Sequence, residues 1–235
     1  DTFRQVAQEV GATLAVVGKD IDFSHRVEAS AELGPHVRVS LTSARSSFEH
    51  IVVPLKGEHQ AANCGLALAA LDALRARGFD TPERKVAEGL ARTPSHGRLE
   101  VVSRSPRVVV DGAHNPESVQ ALVRALGAHV RYDSMVMIFG CAADKNVAGM
   151  LQKIALGADK VIFTRASGNA RAADPRELAR KFAEATGKTA QVAPTFAAAY
   201  DIARAAVGRD DIICVTGSFY LAGEAKRHFA ALASS

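Results

Sequence analysis

Apolar residues follow two different rhythms along this chain. From about residue 105 onward, short runs with no polar member, at 108–110, 135–139, 161–163 and 212–215, alternate with stretches in which apolar positions recur every three or four residues. A strand that is apolar on both sides is buried on both faces, which is the mark of a parallel sheet covered by helices. The intervening stretches predict helices over about 116–126, 147–156, 175–185, 196–207 and 219–232. Two of them have explicit starts, Asn115-Pro116 and Asp174-Pro175-Arg176-Glu177, each a capping residue followed by proline in the first turn.

The earlier part is less regular. Phe3, Val6 and Val10 at helical spacing before Gly11 predict a short helix. Residues 14–17, 37–41 and 48–55 read as strands, and an Ala/Leu-rich stretch from Glu58 to about Arg77 reads as a helix closed by Gly78. Thr81-Pro82-Glu83 predicts the next helix start, with Thr81 as cap, running out by Arg92. Thr93-Pro94-Ser95-His96-Gly97 reads as a linker, which divides the chain into 1–95 and 96–235. The expected fold class is α/β, with a C-terminal Rossmann-like, mostly parallel sheet that carries helices on both faces.

Composition narrows the function classes. The 235 residues are 48% hydrophobic and 23% charged, a globular balance. No apolar run approaches the roughly 18 residues of a membrane span. The net charge of +4, from 29 Lys+Arg and 25 Asp+Glu, is dispersed rather than gathered in a stripe, so neither nucleic acid nor a membrane is expected as a partner. Cys64, Cys141 and Cys214 lie far apart in apolar stretches, which suits buried free thiols in the cytoplasm. The chain starts at Asp1 without a leader pattern, so it is expected to begin inside a longer polypeptide.

Ligands of an open α/β sheet bind beyond the carboxyl ends of its strands, so the residues after each apolar run matter most. Asp111-Gly112-Ala113-His114-Asn115-Pro116 places a carboxylate, an imidazole and a helix start together. Asp111 suits a ribose hydroxyl and His114 a phosphate; alternatively both only cap the turn. Lys145, in Gly140-Cys141-Ala142-Ala143-Asp144-Lys145-Asn146, offers a point charge for a carboxylate or phosphate, or is a solvated surface charge. Thr164-Arg165 and Thr216-Gly217-Ser218 follow two further strands, and the Gly-Ser pair can cradle an anion. Upstream, His59 and Asn63 sit one turn apart on one helix face, and an Asn amide can read an adenine edge. Arg98, in Gly97-Arg98-Leu99-Glu100, stands at the linker within reach of a phosphate. No Gly-x-x-x-x-Gly-Lys-Ser/Thr, Gly-x-Gly-x-x-Gly or Gly-x-Ser-x-Gly pattern is present.

The ordered set Gly57-Glu58-His59-Gln60-x-x-Asn63, Gly97-Arg98-Leu99-Glu100, Asp111-Gly112-Ala113-His114-Asn115-Pro116, Asp144-Lys145 and Thr216-Gly217-Ser218-Phe219-Tyr220-Leu221 resembles the folylpolyglutamate synthase/dihydrofolate synthase family of the Mur ligase superfamily. The resemblance implies an ATP-dependent ligase that joins L-glutamate to a folate, tetrahydrofolate or dihydropteroate, through an acyl phosphate. It implies ATP contacts at Asn63, Arg98, Asp111 and His114, and glutamate contacts at Lys145 and Ser218. It also implies a monomer that uses ATP with Mg2+. The family's phosphate loop and magnesium ligands lie in an N-terminal half that this sequence lacks. Residues 1–95 then correspond to the tail of a central ATPase domain and 96–235 to the C-terminal domain. Such a chain is expected to be inactive alone and contributes no catalytic base and no metal ligand. The competing expectations are a non-catalytic nucleotide- or carboxylate-binding module, separated by whether a phosphate loop lies upstream, and a structural domain that binds a protein partner.

Overall fold

The computed structural model describes residues 2–30 and 33–233. The chain forms two compact units, one ending at Pro94 and the other beginning at Ser95.

In the first unit, α1 (Thr2–Glu9) precedes three antiparallel strands, β1 (Asp22–Ser30), β2 (Gly34–Thr42) and β3 (Ser47–Val53), in the order β1-β2-β3. Two helices follow, α2 (Glu58–Arg75) and α3 (Glu83–Ala91). Alternate residues of β2, Val37, Val39 and Leu41, turn inward and form one core with Phe48, Ile51 and Val53 of β3 and with Ala61, Cys64 and Leu68 of α2.

Three expectations for this unit need correction. Residues 14–17 form no strand; a single isolated bridge joins Val17 to Ile21. β1 was not expected, and none of its residues is fully buried, so its sequence carries little apolar alternation. Thr81 does not cap α3: the helix starts after Pro82 without a side-chain cap, and the Thr81 hydroxyl accepts from Arg75 Nε at 3.1 Å. A charged guanidinium takes the oxygen that capping needed.

The second unit runs β4 (Glu100–Arg104), β5 (Arg107–Val110), α4 (Pro116–His129), β6 (Met135–Phe139), α5 (Val147–Gly157), β7 (Lys160–Phe163), α6 (Pro175–Thr186), β8 (Gln191–Val192), α7 (Phe196–Ala206), β9 (Ile212–Thr216) and α8 (Phe219–Ala233). Its six strands lie in the order β4-β5-β9-β6-β7-β8, with β4 antiparallel to β5 and the remaining pairs parallel. Met137, Phe139 and Cys214 face a core shared with α4, α5 and α6. Ile138, Ile213 and Val215 face a second core shared with α7 and α8. The α/β class with helices on both faces therefore holds. β4 and β8 escape the pattern because they are edge strands, one partly exposed and the other two residues long.

The chain leaves β5, skips one position to β6, and returns at its end to insert β9 between them. Val110 thus lies beside Val215 and Phe139 beside Thr216. Three strand tips meet where the winding direction reverses, the usual place for a ligand in such a sheet. No helix among the described residues is long and apolar enough to cross a membrane.

Candidate functional site

Asp111 follows β5 directly and is turned inward. Its Oδ2 accepts from the Leu99 N–H at 2.9 Å and its Oδ1 from the Ala113 N–H at 2.8 Å, with the residue 6% exposed. Leu99 has a buried side chain and a φ of +47°. That conformation costs a non-glycine residue on the order of 1 kcal/mol, and the Asp111 hydrogen bond helps to hold it. The Gly112 N–H donates to the Gly97 carbonyl at 2.9 Å. Glu100 accepts from the Gly97 N–H at 2.7 Å and lies 2.9 Å from Lys226 Nζ. Burial alone would push the Glu100 carboxyl up, but the Gly97 hydrogen bond, Lys226 and His96 outweigh it and hold the group below the usual carboxylate range. With Gly97 and Leu99 both anchored, Arg98 between them is presented on a fixed backbone.

Its guanidinium lies over the Phe219 ring, 4.8 Å from the centroid. The His114 ring stands 6.1 Å from the same ring, tilted by 50°. A Cβ on Gly112 would come within 2.3 Å of Phe219, so the ring sits on backbone that only glycine leaves bare. Phe219 is nevertheless 46% exposed, a flat apolar surface flanked by a cation and an imidazole.

His114 Nδ1 donates to the Gly112 carbonyl at 2.9 Å. Nε2 is left to a ligand, and it can donate to a phosphate only in the imidazolium form. Part of the amide set at the start of α4 is satisfied locally. Asn115 Oδ1 accepts from the Ser118 N–H at 2.7 Å, and Ser118 Oγ accepts from the N–H groups of His114 and Asn115. The anion capacity here therefore resides in side chains more than in the helix end.

The other two strand tips are stitched to this one. Gly217 has a φ of +104°, and a Cβ there would meet the Gly140 carbonyl oxygen at 2.7 Å. Its N–H donates to the Ala113 carbonyl, and the Gly140 N–H donates to the Thr216 carbonyl. Ser218 is buried, and its Oγ accepts from the Leu221 N–H at 3.1 Å as the cap of α8. Lys145 is exposed, with no ion pair for its ammonium among the described residues. A cleft of about 220 Å³ is lined by His114, Lys145, Asn169, Arg171, Ser218 and Tyr220. Burial pushes the neighbouring Cys141 thiol up to about 12, so it stays protonated at neutral pH. No group of three or more His, Cys, Asp or Glu side chains among the described residues could hold a metal ion.

The second unit thus brings His114, Lys145 and Ser218 to one cleft. Arg98 approaches His114 through Phe219, and Asp111 braces the loops beneath. Asn63 belongs to the first unit, exposed on α2, where its Nδ2 donates to Gln60 Oε1 at 3.3 Å. Sequence reasoning gave no role to Phe219, Asn169 or Arg171. The signal for Phe219 was an aromatic residue straight after Gly-Ser at a strand tip. Arg171, paired with Asp144 at 3.1 Å, sits in a polar loop that carries no periodicity.

Residues 97–219, all within the second unit, match the family described as Mur ligase, glutamate ligase domain. The chain is similar to the dihydrofolate synthase/folylpolyglutamate synthase of Mycobacterium tuberculosis, at 32% identity over 241 residues, covering 95% of this chain and 49% of that protein. A solved structure of Mycobacterium tuberculosis folylpolyglutamate synthase complexed with ADP is similar at a TM-score of 0.83 and 29% identity, covering 96% of this chain and 51% of that one. E. coli FolC in complex with DHPP and ADP is similar at a TM-score of 0.76 and 27% identity, covering 99% of this chain and 51% of that one. The chain spans about half the length of the relatives it matches.

Proposed function

Because this chain belongs to the Mur ligase family through its glutamate ligase domain, we propose that it serves the ATP-dependent addition of L-glutamate to a folate, with tetrahydrofolate or dihydropteroate as acceptor. In this reading residues 1–95 are the tail of a central ATPase domain and 96–235 the C-terminal domain. The phosphate loop and the magnesium ligands lie in an N-terminal half outside this sequence, and the chain is inactive without them. The working enzyme is a cytoplasmic monomer whose partners are ATP, glutamate and the folate, with no nucleic acid or membrane surface.

The chemistry has two steps. The acceptor carboxylate takes the γ-phosphoryl group of ATP and releases ADP; the glutamate amine then attacks the acyl carbon, loses a proton and expels phosphate. Negative charge builds on the transferring phosphoryl oxygens and on the tetrahedral carbon's oxygen, so preorganised cations and donors lower both barriers. Arg98, held over Phe219, meets the nucleotide phosphates as a cation, and His114, fixed through Nδ1, faces them with Nε2. Asp111, turned inward onto the Leu99 and Ala113 N–H groups, accepts from a ribose hydroxyl. Lys145 faces a glutamate carboxylate, and Ser218 donates its hydroxyl proton there while its oxygen caps α8. Asn63 keeps the role of reading adenine on the strength of its motif alone. Magnesium would travel with the nucleotide, since the described residues offer no acidic cluster for it.

The observation that carries this reading is the half-exposed Phe219 ring seated on Gly112 between Arg98 and His114, at the sheet's switch point. The test is to incubate the protein as its host makes it with ATP, glutamate and each acceptor, and to weigh the products. The expected result is an acceptor heavier by one glutamyl residue, with equimolar ADP and phosphate. ADP binding without a glutamylated product from either acceptor would favour the non-catalytic module instead.

A further inference from the structure

Asp144 and Lys145 are consecutive residues of opposite charge in the loop after β6, yet they do not pair with each other. Lys145 and Arg171 line the inner cleft, and Asp144 does not. Asp144 Oδ2 instead accepts from Arg171 Nη1 at 3.1 Å, its single ion pair among the described residues. Lys145 therefore keeps an ammonium that none of the carboxylates among the described residues neutralises.

The backbone sets this arrangement. The Ala143 N–H donates to the Arg171 carbonyl at 2.8 Å and the Ala173 N–H to the Cys141 carbonyl at 2.9 Å, around an antiparallel bridge between Ala142 and Ala172. The loop after β6 is thereby laced to the loop after β7; Ala143 lies opposite Arg171, and Asp144 follows it. The Arg171 N–H is itself held by Asn169 Oδ1 at 3.1 Å. On the other side of Lys145, Asn146 Oδ1 caps α5 through the Gly149 N–H at 3.0 Å. With both flanks fixed, what the ammonium meets depends on where the Asp144 carboxylate is held. Both partners of the ion pair are exposed, so it adds little to stability. Its consequence is local charge, because the Lys145 stem is flexible and a released Asp144 carboxylate is within its reach.

We propose that Arg171 is a positioning residue that holds the Asp144 carboxylate away from Lys145, so that the ammonium stays open to the carboxylate of the incoming glutamate. The inference rests on the ligase reading above and adds to it a guard on the glutamate contact. Without Arg171, Asp144 competes with the substrate for the same cation, as an internal carboxylate at high effective concentration. Arg171 thus acts through Asp144 and Lys145 rather than by touching glutamate.

The test titrates L-glutamate by calorimetry into the protein as its host makes it, saturated with ADP, and into four variants. Arg171→Gln should weaken affinity roughly two- to fivefold, the range of an exposed ion pair. Adding Asp144→Asn to it should restore the unmodified affinity, because the competing carboxylate is gone. In a Lys145→Gln background, itself weaker, Arg171→Gln should change nothing further. All three positions are exposed, so the variants are expected to fold. No loss in Arg171→Gln overturns the guard. A loss that Asp144→Asn does not restore overturns it too, in favour of direct contact between Arg171 and the ligand or of plain loop support. A loss of equal size in the Lys145→Gln background overturns it in favour of a general effect of net charge. A Lys145→Gln variant that binds as tightly as the unmodified protein removes Lys145 as the glutamate cation, and the guard with it. Failure of L-glutamate to bind the unmodified protein overturns the ligase reading itself.

Discussion

In the second unit every residue of β6 and β9 is buried, whereas in the first unit β1 has no buried residue and α1 buries no side chain. The second unit has a hydrophobic core on each face of its sheet, shared with five helices. The first has one core, on the side of β2 and β3 that meets α2, and it exposes Phe3 at 84% and Leu66 at 62%. Strands covered on both faces hold their tips rigidly, and loops built on those tips inherit the rigidity. The Asp111, Gly140 and Gly217 turns, hydrogen-bonded to one another or to the loops that flank them, are such loops.

Four substitutions probe this difference, in falling order of effect. Gly217→Ala puts a Cβ on a φ of +104° and within 2.7 Å of the Gly140 carbonyl oxygen. It should cost about 3 kcal/mol, read as a lower denaturant midpoint of the second unit. Asp111→Ala strands the N–H groups of Leu99 and Ala113 and should cost about 2 kcal/mol, with loss of nucleotide binding as well.

Glu100→Gln has a smaller, pH-dependent effect. The carboxyl is held below its ordinary range in the folded chain, so its contribution is complete at neutral pH and vanishes as pH falls through that lowered value. The variant should therefore show a flatter acid limb of stability against pH than the parent; identical limbs would remove Glu100 from the loop's support. Phe3→Ser, at an exposed position of α1, should change stability by no more than about 0.5 kcal/mol. Hydrogen exchange completes the comparison. The amides of α1 should exchange at or near unprotected rates and those of β6 and β9 slowest of all.

The same contrast explains what the sequence makes legible. Residues 108–110, 135–139, 161–163 and 212–215 announce themselves because burial on both faces removes every polar residue from them. β1 is silent because neither of its faces is fully covered, and β4 and β8 because edges tolerate polar residues. Chemistry follows the same line. Asp111, His114 and Ser218 stand out as strand-tip residues, but nothing in their spacing says that Asp111 is turned inward onto Leu99 or that Ser218 spends its oxygen on α8. The stacking of Arg98 on Phe219 joins residues from opposite ends of the second unit's sequence and depends on the bare backbone of Gly112. Such a contact exists only once β5 and β9 are side by side.

We propose that Arg98, Phe219 and His114 form one surface that holds nucleotide phosphates. It is tested most directly by measuring ADP affinity for the protein as its host makes it and for Arg98→Gln, His114→Gln and the double variant. Each single change should weaken binding about tenfold, as loss of a charge-assisted hydrogen bond does. The double change should differ from the sum of the two, because both groups border one ring. ADP affinity unchanged in all three variants, with the fold intact, would contradict the account.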